Sequence, residues 1–153
     1  FGQWNEWYHE VSLDWHLLEC PPHQGVQRWV RDLNIFYRTE PALHEGDFLA
    51  DKFEWIDSHD WEQNIISFIR KGTNIEEAIL VVCNFTPIPR HNYRIGVPHG
   101  GFWREVLNSD ARIYGGSGYG NFGGMEASPI PAHERYHSLS LTLPPLGVLF
   151  FRK

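Results

Sequence analysis

His133-Glu134-Arg135-Tyr136-His137 spells H-E-x-x-H. On a helix that spacing sets two imidazoles on one face to hold zinc, with the glutamate beside them as a base. The helix is what this segment lacks room for. Pro129 and Pro131 stand before the motif, and Ser138-Leu139-Ser140-Leu141-Thr142-Leu143 alternates like a strand directly after it. No His, Asp, Glu or Cys follows Ser138 to complete a ligand set, so neither a metal nor a cofactor is expected. The other His residues are scattered. His99-Gly100-Gly101 has the look of an esterase oxyanion segment, but no G-x-S-x-G elbow exists to supply a nucleophile.

Carboxylates in pairs are the tools of glycosidic chemistry. Asp57, Asp60 and Glu62 are expected around a turn between two strands, where acids are ordinarily solvated. Glu6, Glu10 and Asp14 lie instead among Trp4, Trp7, Tyr8 and Trp15. That mixture of acid and aromatic side chains makes Trp4, Glu6, Trp7 and Trp15 the candidate saccharide contacts, because aromatic faces suit the C–H faces of sugar rings. Burial of the same residues against a neighbouring part of the protein is the competing reading. Gly115-Gly116-Ser117-Gly118-Tyr119-Gly120-Asn121-Phe122-Gly123-Gly124 is dense in glycine, but no Lys-Ser/Thr pair and no helix follow as a phosphate loop requires. It reads as a long flexible loop between strands, with Tyr119 and Phe122 placed to contact a partner or a glycan.

The elements that position these residues can be read from periodicity. Val26, Trp29, Val30, Leu33, Phe36 and Tyr37 form one apolar stripe at helical spacing, after Pro21 and Pro22 and before Pro41. The stripe must be buried, either on the rest of the chain or on a partner upstream of it. From about residue 45 the pattern turns to short strands. These are Phe53–Ile56, Ile65–Arg70, Ala78–Phe85, Tyr93–Val97, Phe102–Leu107, Ser138–Leu143 and Gly147–Phe151, with turn residues between them. The continuous apolar run at 78–85 suits a central strand covered on both faces. Short strands with regular turn signals predict an antiparallel β-sandwich, so the chain is expected to be mainly β with a helical segment in front.

The totals restrict partners. With 153 residues there is room for one domain and a real core. A net charge of −6 without a basic cluster argues against nucleic acid. No apolar run spans a bilayer, and no signal-peptide pattern opens the chain. Cys20 and Cys83 are too few for a disulfide framework, which points to the cytoplasm. Aromatic residues make up 15%, including 7 Trp, which on composition alone favours core filling over a sugar-binding surface. Asn84-Phe85-Thr86 is a glycan acceptor pattern, discounted because Asn84 ends the central strand. The sole methionine is Met125 and the chain opens on Phe1-Gly2-Gln3, so a segment of a longer polypeptide is expected.

Several strings carry a resemblance. Asn5-Glu6-Trp7 and Ser12-Leu13-Asp14-Trp15-His16-Leu17-Leu18 are followed in order by Gly25-Val26-Gln27-Arg28-Trp29-Val30-Arg31-Asp32-Leu33-Asn34. Val82-Cys83-Asn84-Phe85-Thr86-Pro87-Ile88-Pro89-Arg90 and Trp103-Arg104-Glu105-Val106-Leu107-Asn108-Ser109-Asp110 come next, and His137–Leu146 closes the series. Together they resemble the C-terminal part of bacterial 1,4-α-glucan (glycogen) branching enzymes, of the α-amylase group. The resemblance implies that residues 1–45 are the last loop and helix of a (β/α)8 barrel and residues 46–153 a C-terminal β-sandwich. It implies a parent that cuts α-1,4-glucan and rejoins the chain by an α-1,6 bond with retention, through two carboxyl groups about 5–5.5 Å apart. Those catalytic residues precede the last barrel strand in the family, so none is expected in this chain, which alone should be inactive. With its barrel absent, the helix stripe is expected to promote self-association or disorder of residues 1–40. The reading from a different class is a glucan-binding module that uses exposed aromatics such as Trp55, Trp61, Trp103 or Tyr119. Solvent exposure decides between the two.

Overall fold

The computed structural model describes residues 4–5, 7–74 and 77–153. Pro21 and Pro22 open the first helix, α1 (Pro21–Thr39), at positions whose N–H groups have no helical partner. The helix stops at Glu40, whose N–H still reaches Phe36 O at 3.0 Å, because Pro41 begins a separate short turn, α2 (Pro41–His44). Eight strands follow. They are β1 (Phe53–Asp60), β2 (Ile65–Lys71), β3 (Ala78–Asn84), β4 (Arg90–Val97), β5 (Gly101–Asn108), β6 (Gly124–Ala127), β7 (His137–Leu143) and β8 (Gly147–Arg152).

All named pairings are antiparallel. A six-stranded sheet runs β1-β2-β3-β8-β5-β6, and β4 pairs with β7 as a second sheet. The predicted sandwich is what forms. Its core is made by the inward side chains Ile65, Ile69, Leu80, Val82, Trp103, Leu149 and Phe151 meeting Ile95, Val97, Leu139, Leu141 and Leu143 of the smaller sheet. Trp103 is completely buried there, so it is a packing residue and leaves the set of binding aromatics. Its indole N–H donates to His99 O at 3.2 Å, which satisfies the polar atom that burial would otherwise orphan.

A second apolar cluster lies on the opposite face of the large sheet. Ile79 and Val81 of β3 join Ala42, and Phe36, Leu43, Phe68, Cys83, Val148 and Phe150 pack around them. The helix therefore docks on the sandwich, and β3 is covered on both faces as its unbroken apolar run predicts. Burial raises the pKa of the Cys83 thiol above its ordinary value, which keeps it protonated and inert.

Two elements differ from expectation. Strand β1 runs on to Asp60, past two irregularities in its register with β2, so Asp57 and Asp60 stand on a strand rather than in a solvated turn. Strand β6 starts where the glycine-rich region ends, at Gly124, and its Met125 pairs opposite Trp103.

Candidate functional site

The seam between α1 and the sandwich begins with a glycine. A Cβ on Gly25 would sit 2.2 Å from Tyr114 O, so only glycine lets the helix approach the 3-10 turn Arg112–Tyr114 this closely. One turn along, Trp29 meets Tyr114 edge to face at 5.2 Å, and Phe36 meets Phe150 at 5.5 Å. Polar contacts close the seam. Arg28 Nη1 donates to Ile113 O at 2.5 Å, the Tyr114 hydroxyl donates to Asp32 Oδ2 at 3.0 Å, and Arg152 pairs with Glu40 at 2.7 Å. Burial and the bond to Asp32 push the Tyr114 phenol up to about 12. The Arg31 guanidinium holds the Asp32 carboxyl below its usual range, and the Tyr114 bond adds to this.

The helix has a second apolar side. Val26, Val30 and Tyr37 are exposed, although they belong to the stripe that predicted the helix. Beside that bare side, between helix and sheet, opens a groove of ≈ 780 Å³ whose walls include Trp29, Leu33, Tyr37, Phe68, Val148 and Phe150. Half the stripe is spent on the sandwich and half faces outward.

Aromatic residues on the edge strand β1 make a separate feature. Phe53 and Trp55 lie 4.8 Å apart, edge to face, and both contact Phe68 of β2, at 5.2 and 5.8 Å. Trp55 is 52% exposed, and Trp61 in the following turn is 76% exposed. This step is the site that sequence reasoning assembled least well. Trp55 was a candidate, but its neighbours come from alternate positions of one strand and from the strand beside it, which one-dimensional spacing does not connect.

The candidate residues near the start of the chain are placed simply. Trp4 and Trp7 are fully exposed, and Trp15 is exposed at the head of a 3-10 turn, Trp15–Glu19. Glu6 lies outside the described residues.

The acidic residues of β1 are engaged in structure. Asp60 accepts from the Tyr93 hydroxyl at 2.6 Å and from Gln63 N at 3.2 Å and Nε2 at 3.1 Å. Burial, with the Asp60 bond, lifts the Tyr93 phenol well above its usual range. Asp57 faces His133 Nε2 at 3.4 Å, while His133 Nδ1 accepts from Gly96 N–H at 3.1 Å. His133 and Glu134 both have positive φ, 48° and 61°, and His137 already belongs to β7, so the helical face that H-E-x-x-H needs is not made. Among the described residues no three His, Cys, Asp or Glu form a group able to ligate a metal. Asn84 is buried, donating to Ile88 O and Pro144 O and accepting from Thr86, so its amide is committed to structure.

A β-sandwich clasps one side of an amphipathic helix and leaves the other bare. The chain belongs to the family described as alpha amylase, C-terminal all-beta domain, whose model matches residues 55–153. It is 62% identical over 152 residues to the 1,4-alpha-glucan branching enzyme GlgB of Aquifex aeolicus (strain VF5), covering 99% of this chain and 24% of that protein. The enzyme of the same name from Aromatoleum aromaticum is 58% identical over 150 residues, covering 98% and 23%. That of Cellvibrio japonicus is 53% identical over 152 residues, covering 99% and 20%. The chain thus spans about a quarter of the length of these relatives or less. Among the described residues no helix is long and apolar enough to cross a membrane.

Proposed function

We propose that this chain is the C-terminal part of a cytoplasmic 1,4-α-glucan branching enzyme, and that its role is to complete and brace a (β/α)8 barrel which carries the chemistry. Residues 1–45 would supply the last loop and helix of that barrel, and residues 46–153 the sandwich. The carrying observation is the division of α1 into a face locked to the sandwich and a face, Val26, Val30 and Tyr37, left to solvent. Exposed apolar surface of this kind is costly unless another surface covers it. A barrel sheet would do so, and the groove beside the helix would close with it. The parent would cleave an α-1,4 bond and pass the chain to a 6-hydroxyl through two carboxyl groups upstream of this chain.

The test compares the chain with its full-length protein on amylose, counting new α-1,6 bonds by debranching. Branches from the full-length protein and none from the chain are expected. Branching by the chain itself would overturn the reading, and so would an inactive full-length protein.

A second reading, glucan binding by the sandwich, draws on the Phe53–Trp55–Phe68 step, an open aromatic surface on an edge strand. Trp4, Glu6, Trp7 and Trp15 remain proposed contacts on the same footing. Retardation of the chain in amylopectin gels, abolished by Trp55→Ala or by Trp7→Ala, would favour it. Unchanged mobility would leave the bracing role alone.

A further inference from the structure

Gln24, Gln27, Arg28 and Arg31 follow one another at i, i+3, i+4 and i+7, which lines four polar side chains along one side of α1. At about 100° per residue this polar stripe lies well round the helix from Val26, Val30 and Tyr37, and away from Trp29 and Phe36. It is spent neither on the sandwich nor on the bare apolar side, and a body that covered that side would leave the stripe in water. Exposed arginines on a helix are ordinarily a solvated face. Here both are anchored. Arg28 Nη1 donates to Ile113 O at 2.5 Å, and Arg31 Nε donates to Asp32 Oδ1 at 2.8 Å. Each guanidinium has one N–H fixed in this way, which limits where the rest of its fork can go.

The two arginines and two glutamines, with Leu18 of the preceding 3-10 turn, wall a hollow of ≈ 470 Å³. Among the described residues no carboxylate lines it. Asp32, the partner of Arg31, is also taken up by the Tyr114 hydroxyl at 3.0 Å. Among the described residues the amides of Gln24 and Gln27 and the remaining guanidinium N–H groups have no acceptor. Two forked cations match an anion that is doubly charged and presents several oxygens, as a phosphate monoester does near neutral pH. A carboxylate carries half that charge. Side-chain amides both donate and accept, which suits hydroxyl groups beside the phosphate.

We propose that this hollow binds a small phosphate monoester that carries hydroxyl groups, a sugar phosphate, with Arg28 and Arg31 on the phosphoryl oxygens and Gln24 and Gln27 on the hydroxyls. The site is independent of the function proposed above.

The test is an amide-resolved NMR titration of the 153-residue chain with glucose 6-phosphate. Glucose, inorganic phosphate and sodium chloride at matched ionic strength are the comparisons. Amides of residues 24–31 are expected to shift with glucose 6-phosphate, to respond more weakly to inorganic phosphate, and to stay in place with glucose or chloride. Arg31→Gln is expected to weaken binding of the ester about tenfold or more. Its Tm should hardly change, because an exposed ion pair contributes little to stability. Joint replacement Gln24→Ala and Gln27→Ala should abolish the preference for the ester over inorganic phosphate. The site is overturned if the amides of 24–31 do not move, if chloride moves them as far, or if Arg31→Gln binds the ester as tightly. Inorganic phosphate binding as tightly as the ester would overturn the assignment of a hydroxyl-bearing ligand.

Discussion

At the residue scale, buried polar groups carry the sharpest expectations. Asn84 makes two donations to backbone carbonyls, at 2.9 and 2.8 Å, and takes two from Thr86, at 3.0 and 2.8 Å. Asn84→Ala strands the Ile88 and Pro144 carbonyls, so the urea midpoint should fall by an amount equivalent to about 2–3 kcal/mol. An unchanged midpoint would mean that water replaces the amide. Tyr93 and Tyr114 give the pH dependence. Both phenols are raised in the folded state, by burial first and then by their carboxylate partners. Folding therefore retains these protons, and the associated stability is whole below the ordinary phenol value of about 10. It is lost as the pH climbs from there through the folded values, about 12 for Tyr114 and higher for Tyr93. Thermal scans should show Tm falling above about pH 10, and Tyr93→Phe should make that fall shallower. A slope identical in the variant would remove Tyr93 from the account. Residue chemistry of this sort was hard to foresee. Asp57 and Asp60 read as solvated acids because Asp57-Ser58-His59-Asp60 has no apolar alternation, and the partners that engage them, His133 and Tyr93, lie far along the chain.

Elements were legible where burial imposes a period. The apolar runs that became β2, β3, β7 and β8 sit within a residue or so of their expected limits, and the proline-bounded stripe became α1. The four residues of β6 escaped because Gly124-Met125-Glu126-Ala127 is too short to display alternation and is masked by the glycines before it. The same physics hid the α1 seam. Gly25 costs a helix about 1 kcal/mol relative to alanine, and nothing in the sequence says that Tyr114 O waits opposite it. Gly25→Ala is expected to reverse the propensity argument. The helix itself gains, but a Cβ at 2.2 Å from that carbonyl forces it off the sheet. Hydrogen exchange of α1 amides should accelerate and Trp29 fluorescence should shift to the red. Greater protection in the variant would show that the seam yields at little cost.

For the whole molecule, the consequence of the bare helix side is association. If no barrel covers Val26, Val30 and Tyr37, two chains can cover them for each other, and sedimentation should reveal a concentration-dependent dimer that Val30→Lys dissociates. A chain that stays monomeric at high concentration would show that this surface is tolerated. The mainly β architecture, with its sandwich and leading helix, was visible from the sequence, and so was the family. Strand order was not visible, and it bears on how the protein is made. β8, the last strand among the described residues, lies in the middle of the large sheet between β3 and β5, and it carries Phe150, on which Trp29 and Phe36 rest. On the ribosome, β1-β2-β3 and β5-β6 emerge as two separate ribbons, with the helix in front of them lacking half its seat. Neither ribbon can close until the β8 segment clears the exit tunnel. Translation that stalls before Gly147 would leave two open sheet edges for proteases and chaperones to find.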